Sequence, residues 1–335
     1  MAESSHSQQL DQMITGYWVS QAIYAAAKFG IADHLKDGPK SVEELAVASS
    51  TNPDALFRLL RALASVGIFA EVEPRCFSIT PLAEPLRSDV PDSKLALALM
   101  SGDEQFRAWG EIDESIRTGQ VSFDKVFGQP IFDYLGEHPD KARIFDAAMV
   151  GIHGRESSAI LDAYDFSEIK LLADIGGGNG SQIIEILNKY PQMQGMLFDL
   201  PHVVERAAER IETACLQNRC QIVPGSFFDA IPTGADAYVL RHIIHDWDEE
   251  KCLSILRNCH RAMSAESKLL VIESVIPAGN DPFPGKFLDL VMLLIPGGKE
   301  RTEMEYRELF DQAGFELTRI IPAGSAVSVI EGRKR

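Results

Sequence analysis

The amino-acid sequence predicts an α/β fold: a mostly parallel sheet with helices on both faces and one antiparallel edge, preceded by a small helical domain of winged-helix type. Three observations carry this. Beyond Tyr164, short apolar runs (LLADI, GMLFDL, CQIV, DAYVLRH and KLLVIES) alternate with helical stretches of ordinary crossover length, as expected of strands buried on both faces. The last two runs, FELTRIIPAG and SAVSVIEG, stand too close together to hold a helix and so should pair antiparallel. Near the amino terminus, three helical patterns are followed by two short β-like runs. A chain of 335 residues suggests two domains by default, here 1–100 and 101–335.

In chain order, YWVSQAIYAAAKFGIADHL reads as one amphipathic helix. SVEELAVAS opens a second, with Ser41 as cap and Glu44 three residues on, the spacing of a capping box. NPDALFRLLRALASVGIF sets Leu56, Leu59, Leu60 and Leu63 on one face and ends at Gly67. FAEVEPRCFSIT supplies the two β-like runs around Glu73 and Pro74, which completes the order of a winged helix. From Ala98 to Tyr164 the pattern is helical again, with a break at GQVSFDKVFGQP.

A formal charge of −17 disfavours binding to nucleic acid or anionic lipid, and the only compact basic cluster is the terminal RKR. The start, MAESSHSQQLDQ, has no basic flank or apolar core of a signal peptide, and LDLVMLLI is too short to cross a bilayer, so a cytoplasmic protein is expected. Cys76, Cys215, Cys220, Cys252 and Cys259 show no metal or disulfide spacing and read as reduced packing residues.

Four stretches can carry chemistry. In LLADIGGGNGSQ a strand ending at Asp174 runs into Gly176, Gly178 and Gly180, which let backbone turn sharply and approach a ligand. The nicotinamide fingerprint fails because Ser181 stands in its last place, and no lysine follows as in a phosphate loop. A nucleoside carrying an amino acid suits the spacing better. In GMLFDLPHVV, Asp199 ends the second strand, where an acid can accept ribose hydroxyls; capping the helix that starts near Pro201 is the plainer alternative. In RHIIHDWDEEKC, read as helical, His245 lies just past the fourth strand, where open α/β sheets hold their reactants. A metal held by His242, His245 and Asp246 lacks a further ligand at recognisable spacing, so no metal is expected. Glu273, at the end of the fifth strand, and Glu300, in PGGKERT, can each reach His245; a carboxylate on one imidazole nitrogen leaves the other free to take a proton. Glu300, between Lys299 and Arg301, can also be read as an exposed ion-pairing loop residue.

Together LADIGGGNG, FDLPHVV, LRHIIHDWDEEKC and GGKERT resemble the S-adenosylmethionine-dependent O-methyltransferases of the caffeate and hydroxyindole type and their bacterial natural-product relatives, from about Thr15 to the end. The resemblance implies a Rossmann-like methyltransferase sheet, a winged-helix front that serves dimerisation, S-adenosyl-L-methionine as cofactor and a homodimer. It implies that Gly176 and Gly178 pass under the methionine part, that Asp199 holds the ribose, that Ser226 and Phe227 border the adenine, and that Arg241 stands beside the adenosyl group. His245 matches the general base, Glu273 and Glu300 the acids flanking it, and His242 nothing catalytic. Phe145, Met149 and Met292 match acceptor-packing residues. Three departures stand out: Ser226 replaces an aspartate at the adenine, while Ile152 and Ile295 replace polar pocket residues, so the pocket reads as greasier than in lignin enzymes.

The expected reaction is methyl transfer to a phenolic or enolic hydroxyl of a small aromatic molecule, since an aliphatic alcohol is too weak an acid for an imidazole base. The rival readings are a winged-helix ligand-sensing transcription regulator, for which Arg58 and Arg61 are the only basic residues on the third helix, and a relative that binds the cofactor without transferring methyl.

Overall fold

The computed structural model describes residues 5–324 and 327–335. The first four residues of the amino-terminal stretch, and Ser325 and Ala326 of the SAVSVIEG run, lie outside the described residues. The chain divides into two compact units, one of Met1–Gly110 with His138–Ile152, the other of Glu111–Glu137 with His153–Arg335.

In the first unit, Ser5 and Gln8 form a capping box on the helix His6–Ile14. The single helix expected from Tyr17 to Leu35 is instead Gly16–Lys28 followed by a separate turn, Ile31–His34. Gly30 causes the break by taking φ 63°, a left-handed conformation that ends a helix at little cost only for glycine. The predicted box of Ser41 and Glu44 starts Val42–Ser49. Asn52 caps Pro53–Ser65, which buries Leu56, Leu60 and Leu63 and leaves Leu59 half-buried. The strands β1 (Lys40–Ser41), β2 (Phe69–Glu73) and β3 (Cys76–Ile79) form an antiparallel sheet in the order β1-β3-β2, so the expected hairpin gains a third short strand. Ile31, Leu35, Val42, Leu45, Phe69 and Phe77 close the core between helices and hairpin.

The second unit is built on a seven-stranded sheet. Its strands are β4 (Leu171–Ile175), β5 (Gln194–Asp199), β6 (Cys220–Pro224), β7 (Ala237–Arg241), β8 (Lys268–Glu273), β9 (Phe315–Pro322) and β10 (Ser328–Lys334), in the order β6-β5-β4-β7-β8-β10-β9. The first five run parallel, and β10 is antiparallel to both its neighbours, which gives the antiparallel pairing expected at this edge. Alternate residues of β7 feed the two faces: Tyr238 and Leu240 one core, Ala237 and Val239 the other. The segment read as a break, GQVSFDKVFGQP, holds a short helix of its own, Ser122–Phe127, ended by Gly128 at φ 79°. Strand order reverses between β4 and β7, and the carboxyl ends at such a switch point are where open α/β sheets bind ligands. Among the described residues no helix is long and apolar enough to cross a membrane.

Candidate active site

The chain leaves β7 at Arg241 and makes a tight turn. His242 takes φ 53°, a single 3-10 turn spans Ile244–Asp246, and the helix begins only at Glu249, with Asp248 as its cap. The two histidines therefore do not share a helix face as the spacing suggested. His245 is 6% exposed, and its Nδ1 lies 2.6 Å from Oε1 of Glu300, itself 3% exposed. The exposed-loop reading of Glu300 is thereby overturned.

Glu273 has a different task from the one expected. It touches the backbone, not the imidazole: Oε1 accepts the N–H groups of Ile243 and His245, both at 3.1 Å, and Oε2 accepts the Tyr306 hydroxyl at 2.6 Å. It thus fixes the turn that carries the histidine. The second carboxylate near the ring is Asp246, whose Oδ1 stands 3.5 Å from Nε2, too far for a hydrogen bond.

The loop bearing Glu300 is pressed onto this turn. A β-carbon on Gly298 would collide with the carbonyl oxygen of His245, so only glycine fits there. Arg301, 1% exposed, donates to the Ile244 carbonyl at 3.2 Å, and the Glu300 N–H donates to Asp289 at 2.8 Å. Burial pushes the His245 imidazole toward its neutral form, but Asp246, Glu300 and Glu273 outweigh it and raise its pKa to about 10. Burial raises Asp246 to about 7 against the pull of His245; burial also shifts Glu300 above the ordinary carboxylate range, opposed by its bond to His245. The cluster therefore holds more protons at neutral pH than the same groups in water.

Beyond the carboxyl end of β4, Gly176 and Gly178 have φ 71° and 57°. A β-carbon at Gly176 would strike Ile243 of the histidine turn, whereas one at Gly178 would meet open space. Asp199 accepts the Gly178 N–H at 2.8 Å and the Leu200 N–H at 2.7 Å, so it ties the glycine loop to the end of β5. It makes no side-chain cap on Pro201–Thr213. Phe227 packs within 3.4 Å of the same Gly176 position and edge-on to Trp247. Ser226 spends its hydroxyl on the Phe228 N–H at 3.2 Å. Asp174 is 2% exposed, its Oδ2 has no partner, and burial raises its pKa to about 7 despite Arg241.

These are a glycine turn, an acid at the next strand end and a carboxylate-held imidazole, all at the carboxyl ends of neighbouring strands. Residues 109–316 match the family model for the O-methyltransferase domain, and residues 11–89 that for the O-methyltransferase dimerisation domain. The chain belongs to the O-methyltransferases. Among them it is 47% identical over 322 residues to phenazine O-methyltransferase PhzM of Lysobacter antibioticus, covering 96% of this chain and 94% of the relative. It superposes on the crystal structure of LaPhzM with a TM-score of 0.97 at 46% identity, over 99% of this chain and 100% of that one. It also matches NcsB1, an O-methyltransferase from neocarzinostatin biosynthesis in complex with S-adenosylmethionine and 2-hydroxy-5-methyl naphthoic acid. The TM-score there is 0.86 at 33% identity, over 94% and 96% of the two chains.

Within this O-methyltransferase, the remaining expected residues are placed as follows. Arg241 gives its terminal nitrogens to Ser157 at 3.0 Å, Gln182 at 2.5 Å, the His153 carbonyl at 2.8 Å and Glu156 at 3.0 Å, leaving Nε unpaired. Met292 is buried in the helix Gly285–Leu294, followed by buried Ile295. Phe145 and Met149 are half-buried in the first unit. The group of described residues close enough to gather on a cation is His153, Glu156 and His242, not His245 or Asp246, and the Arg241 guanidinium on the same Glu156 oxygen works against a cation there. Sequence reasoning missed Tyr306 and Asp289, which brace the two glutamates, and gave Asp246 no part beyond a weak metal set. Adjacency to His245 was the one signal for Asp246; nothing local marked the other two.

Proposed function

We propose that this chain transfers a methyl group from S-adenosyl-L-methionine to a phenolic or enolic hydroxyl of a small, flat aromatic molecule, with His245 as general base. The observation that carries the reading is the buried 2.6 Å contact between His245 Nδ1 and Glu300. It fixes the ring and leaves Nε2 as the nitrogen that receives the hydroxyl proton.

The cofactor fits the residues present. Gly176 and Gly178 would lie beneath its methionine part, where Gly178 leaves open space, and the partnerless, buried Oδ2 of Asp174 suits a cationic group. Asp199 keeps lone pairs for ribose hydroxyls, Phe227 offers a face to the adenine with Ser226 beside it, and the unpaired Arg241 Nε is left as a donor. Bound S-adenosylmethionine supplies a methyl group already activated on a sulfonium.

The protein's own task is to align the hydroxyl and take its proton. An ordinary imidazole of pKa ~6.5 facing a phenol of pKa ~10 would leave proton transfer uphill by about 5 kcal/mol. The carboxylates that raise His245 to about 10 narrow that gap, but they also keep the ring protonated at neutral pH. The neutral base is a minor form there, so turnover should rise with pH toward about 10. Met292 and, through the resemblance, Phe145 and Met149 would pack the acceptor ring. Relatives named for phenazine, hydroxybenzoate and naphthoate acceptors support a flat aromatic ring.

Dimerisation through residues 1–100 is part of the same reading. Leu10, Met13, Ile14, Tyr17 and Trp18 are each more than half exposed, whereas Tyr24 packs against Gly102 within the chain.

The test is a methyl-labelled cofactor assayed against hydroxylated phenazines and naphthoates, with melting measured in adenosylhomocysteine and in NAD. Label in the acceptor oxygen, and a rise in Tm with adenosylhomocysteine alone, are expected. A rise without any label transfer would favour a relative that binds cofactor but does not methylate.

A further inference from the structure

We propose that Glu156 is a positioning residue for the methyl transfer, acting through His242 to hold the turn that presents His245. The proposal rests on the reading of His245 as base.

The starting point is strain. His242 occupies the left-handed region at φ 53°, a conformation uncommon outside glycine, although histidine, with asparagine and aspartate, enters it more often than other residues where the surroundings favour it. This residue directly follows β7 and stands three positions before His245, so its backbone angles direct the path of the catalytic turn.

Two things hold the backbone. The His242 N–H donates to the Ile272 carbonyl at 3.1 Å, and Glu273 takes the N–H groups of residues 243 and 245. The side chain is held separately. Nε2 of His242 donates to Oε2 of Glu156 at 2.8 Å, and its ring lies against that of His153, centroids 3.9 Å apart and 28° from parallel. His153 Nδ1 donates to the same oxygen at 3.0 Å, as does Arg241, also at 3.0 Å. Three donors therefore converge on one carboxylate oxygen.

Charge fixes the tautomers. Burial, His153 and His245 keep the His242 ring well below the ordinary histidine range against the pull of Glu156, and burial likewise lowers His153. Each ring thus carries a single N–H, which must face Glu156 because a carboxylate only accepts. Nδ1 of His242 is buried without a partner, so the bond to Glu156 is the ring's one hydrogen bond. The His242 and His245 rings lie 5.1 Å apart between centroids, so movement of one is felt by the other.

The role differs from a structural tie through Arg241, and glycine separates the two. Glycine takes φ 53° without strain, so His242→Gly removes the need for an anchor at that turn. Glu156→Ala is expected to lower kcat on the order of tenfold to a hundredfold, with acceptor KM and adenosylhomocysteine affinity within about threefold of wild type. In the His242→Gly background the same substitution should change kcat less than about twofold. Nitrogen NMR of labelled histidine should show a single Nε2–H tautomer for His242 in wild type and a mixture after Glu156→Ala. If Glu156→Ala does not fold, Glu156→Met, of similar length but without an acceptor oxygen, carries the same comparison.

An equal loss of kcat in both backgrounds, an unchanged kcat, or a loss confined to adenosylhomocysteine affinity would overturn the proposal. Full activity in His245→Gln would instead overturn the base assignment, while the tautomer measurement would still report on Glu156 and His242.

Discussion

At residue scale the proposed chemistry rests on how three carboxylates are arranged around one imidazole. Glu300 bonds the ring, Glu273 bonds the backbone beneath it, and Asp246 faces the second nitrogen at 3.5 Å. Glu300→Gln removes one of the charges that hold the proton on His245, so the ring's pKa falls from about 10 toward its ordinary value. The sign follows directly: the neutral imidazole is then populated at lower pH, so the acid limb of kcat/KM should move down in pH. The plateau should also fall roughly tenfold as orientation is lost. A pH-rate profile on a simple phenolic acceptor measures both, and an unmoved limb would show that Glu300 does not set the basicity of His245. His245 and Glu300 were legible in the sequence because one follows a strand and the other a glycine pair. The division of labour was not, since Tyr306 and Asp289, which orient the glutamates, come from helices with no local mark of function.

The sheet was legible at the scale of elements because each parallel strand is buried on both faces and reads as an unbroken apolar run. The turns were less so. Two histidines three apart look helical, yet His242 lies in a left-handed turn, a conformation nothing in its identity announces. Likewise Gly30 divides a helix that its apolar spacing would have continued. Gly298 shows how tightly two such turns interlock. Gly298→Ala would force its loop off the His245 carbonyl, with an expected loss of about 1–3 kcal/mol in stability and a larger fractional loss of turnover. Gly136→Ala, on a helix with open space around it, is the control and should stabilise slightly or do nothing. Denaturant melts paired with initial rates decide it; equal behaviour of the two variants would show that the loop contact is slack.

The molecule as a whole joins a helical unit with exposed apolar residues near its start to a sheet whose switch point holds the reactive groups. The sequence declared both parts, because capping boxes and strand runs are local signals. It could not declare the acceptor: Phe145, Met149 and Met292, the residues proposed to pack it, are ordinary apolar side chains with no local mark of function. What unites the description is a buried imidazole held by a carboxylate and raised in proton affinity by the acids around it. The most direct test is the single-turnover rate of methyl transfer at pH 8 by His245→Gln, with cofactor and acceptor saturating. A rate at least about a hundredfold below wild type, with adenosylhomocysteine bound as tightly, is the predicted result; a rate within about threefold of wild type would contradict it.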